Sequence, residues 1–260
     1  MGEAVSYSRD GLVGLITLDR EANRNSMTPE LLDAFAAAAA VARADGEARC
    51  VIVTGAGAYF SAGADFKSNV QRGASQQLPH ERSFAMYEPF LSLLEIEVPV
   101  VAAVNGHAVG GGFGLALLCD VRIAARDAKL GANFCRLGLA PGLGISYLLP
   151  RVVGASRAAE LLFTGRLLSG EEAAAMGLAS EAVDAAEVLP RAREIAGAIA
   201  ASAPLAVRAT KRAIYDGLGW ETRQAAWREA FAQAETLTTA DFAEGVAALL
   251  EKREPRFRGA

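Results

Sequence analysis

At 260 residues, 52% hydrophobic and 22% charged, the chain is long enough to bury a large core and too apolar to remain disordered. A formal net charge of -4 supplies no broad positive field for nucleic acid, and no stretch reaches the ~18 apolar residues of a membrane span. The start of the chain has no basic region followed by an apolar run, and Cys50, Cys119 and Cys135 show neither a disulfide framework nor metal-ligand spacing, so a soluble cytoplasmic protein with core cysteines is expected.

Alternation from Leu12 to Leu18, bounded by Asp10-Gly11 and Asp19-Arg20, predicts a strand in a hairpin with Val5–Ser8. Thr28-Pro29-Glu30 joins an N-cap to a proline at the first helical position and opens a helix that ends near Asp45-Gly46. Cys50–Thr54, closed by Gly55-Ala56-Gly57, reads as a buried strand. After a loop-rich stretch from Ser68 to Pro79, the spacing of Phe84, Tyr87, Phe90, Leu91 and Leu94 predicts a helix. Val98–Val104 is a second buried strand, Phe113–Cys119 a short helix behind a glycine triplet, and Val121–Ala125 a third strand. These strand-to-helix cycles indicate an α/β body.

Further along, Ser169-Gly170-Glu171-Glu172 is a capping box for a helix that stops at Gly177, and Ser180–Val183 is strand-like. The segments 190–201, 205–218, 220–236 and 240–252 read as amphipathic helices separated by Ala-Pro, Gly and Thr-Thr breaks. Residues 1–200 are therefore expected to form the core and 201–260 a helical region that packs on it or forms a subunit interface.

Two loops carry the chemical signal. In Ser61-Ala62-Gly63-Ala64-Asp65-Phe66-Lys67, small residues leave backbone N–H groups accessible. In Asn105-Gly106-His107-Ala108-Val109-Gly110-Gly111-Gly112, a strand runs into a helix whose first turn has almost no side chains and presents donors with a favourable dipole. The triplet lacks the spacing of a dinucleotide fingerprint and the Gly-Lys-Ser/Thr of a P-loop. Either loop alone is better explained by a tight turn; the pair fits a two-donor oxyanion hole better than a phosphate cradle.

Arg24-Asn25-Ser26-Met27, Ser61–Asp65, Val100–Gly112, Leu137-Gly138-Leu139-Ala140-Pro141-Gly142 and Leu162-Phe163-Thr164-Gly165-Arg166 together resemble the enoyl-CoA hydratase/isomerase, or crotonase, family in order and spacing. The resemblance implies an α/β fold built as a ββα spiral with a C-terminal helical trimerisation region, assembling as a homotrimer or a hexamer of paired trimers. It implies an acyl-CoA thioester as ligand, with coenzyme A arriving as part of the substrate, no separate cofactor and no metal. By the same resemblance the N–H groups of Ala64 and Gly111 hold the thioester oxygen, and Arg24, Ala62, Asp65, Phe66 and Lys67 line the coenzyme A path. Phe257 and Arg258 resemble C-terminal residues that reach a neighbouring subunit's coenzyme A.

The chain departs from the family where protons are moved. Gly114, Phe134 and Gly142 stand at positions where relatives carry catalytic carboxylates. With Ile145 they imply an acyl pocket that is roomy and mainly apolar. The titratable groups bordering these segments, His107, His80, Glu81, Tyr87 and Glu88, read more readily as packed or solvated residues than as proton carriers. Isomerisation or hydration-type lyase chemistry through an enolate is the leading expectation. Acyl-CoA binding without turnover, decarboxylation and thioester hydrolysis stay open beside it.

Overall fold

Residues 3–65 and 78–260 are described by the computed structural model. The predicted hairpin is present: β1 (Val5–Asp10) pairs antiparallel with β2 (Val13–Leu18). Next comes α1 (Pro29–Ala44), whose N-cap Thr28 accepts a hydrogen bond from the Leu31 N–H at 3.2 Å. Its buried residues Leu31, Leu32, Phe35, Ala38, Ala39 and Ala42 recur at helical spacing, so one face is fixed on the core.

The chain then alternates between two sheets. β3 (Cys50–Gly55), β5 (Val100–Val104), β7 (Val121–Ala125) and β10 (Glu181–Val183) extend β1 and β2 into one sheet, ordered β1-β2-β3-β5-β7-β10 and parallel from β2 onward. β4 (Tyr59–Ser61), β6 (His107–Val109), β8 (Lys129–Gly131) and β9 (Leu168–Ser169) form a second sheet in that order. Each passage therefore leaves one strand in each sheet before turning into the next, which is the ββα spiral. β3 and β5 are buried along their whole length, as strands covered on both faces must be.

The second sheet is not among the predicted elements, because strands of three residues or fewer are too short to display a period of two. The helix predicted over Phe84 to Leu94 is instead α2 (Pro79–Ala85), α3 (Glu88–Leu91) and a 3-10 turn at Ser92–Glu95. Pro89 sits in the first turn of α3, where its missing N–H is harmless, and it cannot continue the preceding helix.

The remaining helices are α4 (Gly111–Leu118), α5 (Ile145–Val153), α6 (Ala155–Thr164), α7 (Gly170–Ala175), α8 (Val188–Ala201), α9 (Pro204–Ile214), α10 (Leu218–Thr236) and α11 (Ala240–Glu251). The capping box of α7 is formed: Ser169 Oγ accepts from the Glu172 N–H at 3.1 Å while Glu172 accepts from the Ser169 N–H at 2.7 Å. α8 packs on β3, β5 and β7, and α10 packs on α2 and α5 through Ala225, Ala226 and Ala230. α9 buries none of its residues.

Cys50 and Cys119 are core residues, each thiol pushed up to about 12 mainly by burial. Cys135 is not: it is exposed on the 3-10 turn Phe134–Leu137, whose buried positions are taken by Phe134 and Leu137. No helix among the described residues is long and apolar enough to cross a membrane. Among the same residues, no group of three or more His, Cys, Asp or Glu side chains could hold a metal ion.

Candidate functional site

The short second sheet brings the two loops together. β4 and β6 run parallel, with Tyr59 opposite His107 and Ser61 opposite Ala108. An equal step beyond the second pair reaches Ala64 on one side and Gly111 on the other. The backbones there approach so closely that only glycine fits. A Cβ on Gly63 would lie 2.5 Å from the Val109 carbonyl oxygen and 3.3 Å from the Gly111 nitrogen, and one on Gly112 would collide with the Ser61 carbonyl. Gly63 also has φ +77, a region that disfavours side chains.

Backbone geometry decides which donors are available. The Met27 N–H donates to the Gly63 carbonyl at 2.8 Å within a parallel bridge between Met27 and Ala64. In a trans, planar peptide the N–H points opposite to the C=O, so the Ala64 N–H faces away from Met27. Gly111 is the first residue of α4, and its N–H has no helical acceptor. Gly110, at φ 56 and ψ -119, makes the turn into that helix, with its own N–H donating to the Gly131 carbonyl at 2.9 Å. No described residue accepts from the Ala64 or Gly111 N–H.

The expected pocket residues gather around the start of α4. Phe134 Cζ lies 3.9 Å from the Cβ position of Gly110, and Ile145 Cδ1 lies 3.1 Å from that of Gly114. The space is smaller than the expectation, however. Leu143 Cδ2, 2.6 Å from the same Gly114 position, fills what a side chain there would occupy, and the Tyr87 hydroxyl, 2.6 Å from the Cβ position of Gly142, does so at the other glycine. The lining is apolar apart from that phenol.

A buried polar network behind the lining holds it in place, and two of its members, Glu229 and Gln233, escape a reading of local motifs. Leu143 adopts φ 66, a strained choice for a branched residue. The turn that contains it is pinned by Glu229 of α10. This buried carboxylate accepts from the Gly144 N–H at 2.6 Å, the Ser146 N–H at 2.8 Å and the Ser146 hydroxyl at 2.5 Å. Burial raises the Glu229 carboxyl above the usual range despite these three donors. One turn further along α10, Gln233 Nε2 donates to the Tyr87 hydroxyl oxygen at 2.9 Å and to the Ala140 carbonyl at 3.0 Å. Tyr87 is 4% exposed, and burial raises its phenol so that it stays protonated. The signal available in sequence was the presence of Glu229 and Gln233 on the same face as Ala225, Ala226 and Ala230.

Three of the other titratable candidates have structural roles. His107 accepts the Lys129 N–H at Nδ1 (2.9 Å) and sits edge-on to Tyr59. His80 stacks on Phe231 at 3.9 Å between ring centroids. Glu81 caps α2 by accepting the Leu78 N–H at 2.9 Å, and Glu88 is exposed.

Along the expected coenzyme A path, Ala62 donates to the Arg24 carbonyl at 3.0 Å, which places the two segments side by side. Arg24 is exposed, with its guanidinium 5.4 Å from the Tyr59 ring centroid. Asp65 is half-buried directly after Ala64. Phe66 and Lys67 lie outside the described residues. Phe257 and Arg258 belong to a tail folded back on α11, where the Asp241 carboxylate accepts the Arg258 N–H at 2.7 Å and the Gly259 N–H at 2.8 Å.

Comparison with known proteins agrees with this fold. The family described as enoyl-CoA hydratase/isomerase matches residues 8–260. YngF of Bacillus subtilis, which carries the same family description in its name, is 36% identical over 262 residues, covering 100% of both chains. The crystal structure of an enoyl-CoA hydratase/isomerase from Pseudoalteromonas atlantica superposes with a TM-score of 0.87 at 32% identity, over 98% of this chain and 100% of that one. A carnitinyl-CoA hydratase from Mycobacterium avium gives 0.87 at 33% identity over 100% of both chains.

Proposed function

The chain belongs to the enoyl-CoA hydratase/isomerase family, and we propose that it binds an acyl-CoA thioester and stabilises the enolate of the acyl group with the backbone N–H groups of Ala64 and Gly111. The observation that carries this reading is the register of β4 and β6, which sets the exits of two successive spiral turns side by side. Both donors are fixed before any ligand arrives. An oxygen that gains negative charge only during reaction is therefore stabilised without reorganisation, by about 3 kcal/mol per donor.

Coenzyme A follows Arg24, Ala62 and Asp65, continuing along Phe66 and Lys67, and the acyl group enters between Gly114, Phe134, Gly142 and Ile145. No separate cofactor or metal is needed for this step. Double-bond isomerisation or hydration-type lyase chemistry is the favoured reaction, in a homotrimer or a hexamer of paired trimers. The filling of the space at Gly114 by Leu143 and Ile145 and at Gly142 by Tyr87, with no carboxylate at either, favours a second reading. In it the protein binds acyl-CoA without turnover, or uses the enolate in a decarboxylation or thioester hydrolysis that needs fewer protein acids.

The purified protein, incubated with a panel of enoyl-, dienoyl- and hydroxyacyl-CoA esters and followed by mass spectrometry, tests both. Isomerised, hydrated or dehydrated product supports the first. Binding without any of these products leaves only the second, with released free coenzyme A marking thioester hydrolysis, and absence of binding removes the acyl-CoA assignment altogether.

A further inference from the structure

Tyr87 carries an ionisable group and reaches both Gly111 and Gly142. Its ring edge Cε1 is 3.7 Å from the Cβ position of Gly111, and its hydroxyl is 2.6 Å from that of Gly142. The hydrogen-bond accounting around it is one-sided. Gln233 donates through the same Nε2 to the Ala140 carbonyl, which can only accept, so the orientation of the amide is fixed and Tyr87 must accept from it. Glu229, the nearby carboxylate, is engaged by Gly144 and Ser146. The Tyr87 hydroxyl proton has no acceptor in the described residues although the side chain is buried, an arrangement that calls for a partner.

We infer that the Tyr87 hydroxyl donates to an oxygen carried by the acyl chain beyond the thioester, so that the pocket selects hydroxyacyl- or oxoacyl-CoA esters over saturated ones. This rests on the acyl-CoA reading above. The hydroxyl is among the atoms nearest the Cβ position of Gly142, whereas the Tyr87 atom nearest that of Gly111 is the ring carbon Cε1, so the hydroxyl addresses chain atoms on the Gly142 side rather than the thioester oxygen held by the two amides. Burial keeps the phenol neutral, which makes it a constant donor rather than a base. Tyr87 is thus a specificity-determining residue, supported by Gln233 as a positioning residue.

Calorimetric titration of the full chain with 3-hydroxybutyryl-CoA and butyryl-CoA tests the inference without any variant. The expected result is about fivefold to tenfold tighter binding of the hydroxy ester, the worth of one neutral hydrogen bond. Tyr87→Phe should abolish that preference by weakening the hydroxy ester alone. Equal wild-type affinities overturn the role of Tyr87 while leaving acyl-CoA binding intact. A preference that survives Tyr87→Phe also overturns it, whereas failure to bind either ester refutes the underlying acyl-CoA reading instead.

Discussion

Glu229 shows how a residue remote from any motif shapes the candidate site. It anchors the turn that carries Leu143, and Leu143 in turn covers Gly114. Replacing Glu229 by Ala would leave two backbone donors and a hydroxyl without an acceptor, at a cost of about 3 kcal/mol, readable as a lowered midpoint in urea. The raised carboxyl also has a sign. The folded state holds this proton at pH values where the unfolded chain has released it, so the stabilisation is full at low pH and is lost as pH rises through the elevated value. Measured at about pH 5 and about pH 8, wild-type stability relative to Glu229→Gln should fall with rising pH; a constant difference would contradict the assignment. The two loops stand out in sequence because small residues and glycine runs mark accessible backbone, and the family resemblance is what singles out Ala64 and Gly111 within them. Tyr87, Gln233 and Glu229 were not assignable, since their meaning comes from contacts to residues far away in the chain.

At the level of elements, the site depends on register. Inserting one residue between Gly110 and Gly111 would move the second donor away from Ala64 while leaving the large sheet untouched. Acyl-CoA binding should then weaken at least about a hundredfold, the scale of losing one oriented donor, with the circular dichroism spectrum retained. Unchanged affinity would show that the two amides do not act together. Thr28→Ala removes the N-cap of α1 next to the Met27–Ala64 bridge and should cost about 1 kcal/mol in chemical denaturation. The hairpin, α1, β3, β5, β7 and the α7 capping box were legible from alternation and caps. The second sheet, which aligns the donors, was not, because pairing between three-residue strands is set by the parent sheet rather than by local periodicity.

Across the whole molecule, apolar surface remains uncovered in the C-terminal third. Leu205 is 78% exposed, Ile214 66% and Trp220 69%, large apolar side chains of the kind that a subunit interface covers. Sedimentation equilibrium should therefore give three or six times the mass of one chain; a monomer would contradict the proposed assembly. The central claim concerns the two amides, and infrared difference spectroscopy of an acyl-CoA labelled with carbon-13 at the thioester carbonyl tests it most directly. The labelled stretch should move to lower wavenumber on binding the wild-type protein and move less in Ala64→Pro, which lacks one N–H. An unshifted carbonyl in the wild-type complex, or equal shifts in both proteins, would contradict it.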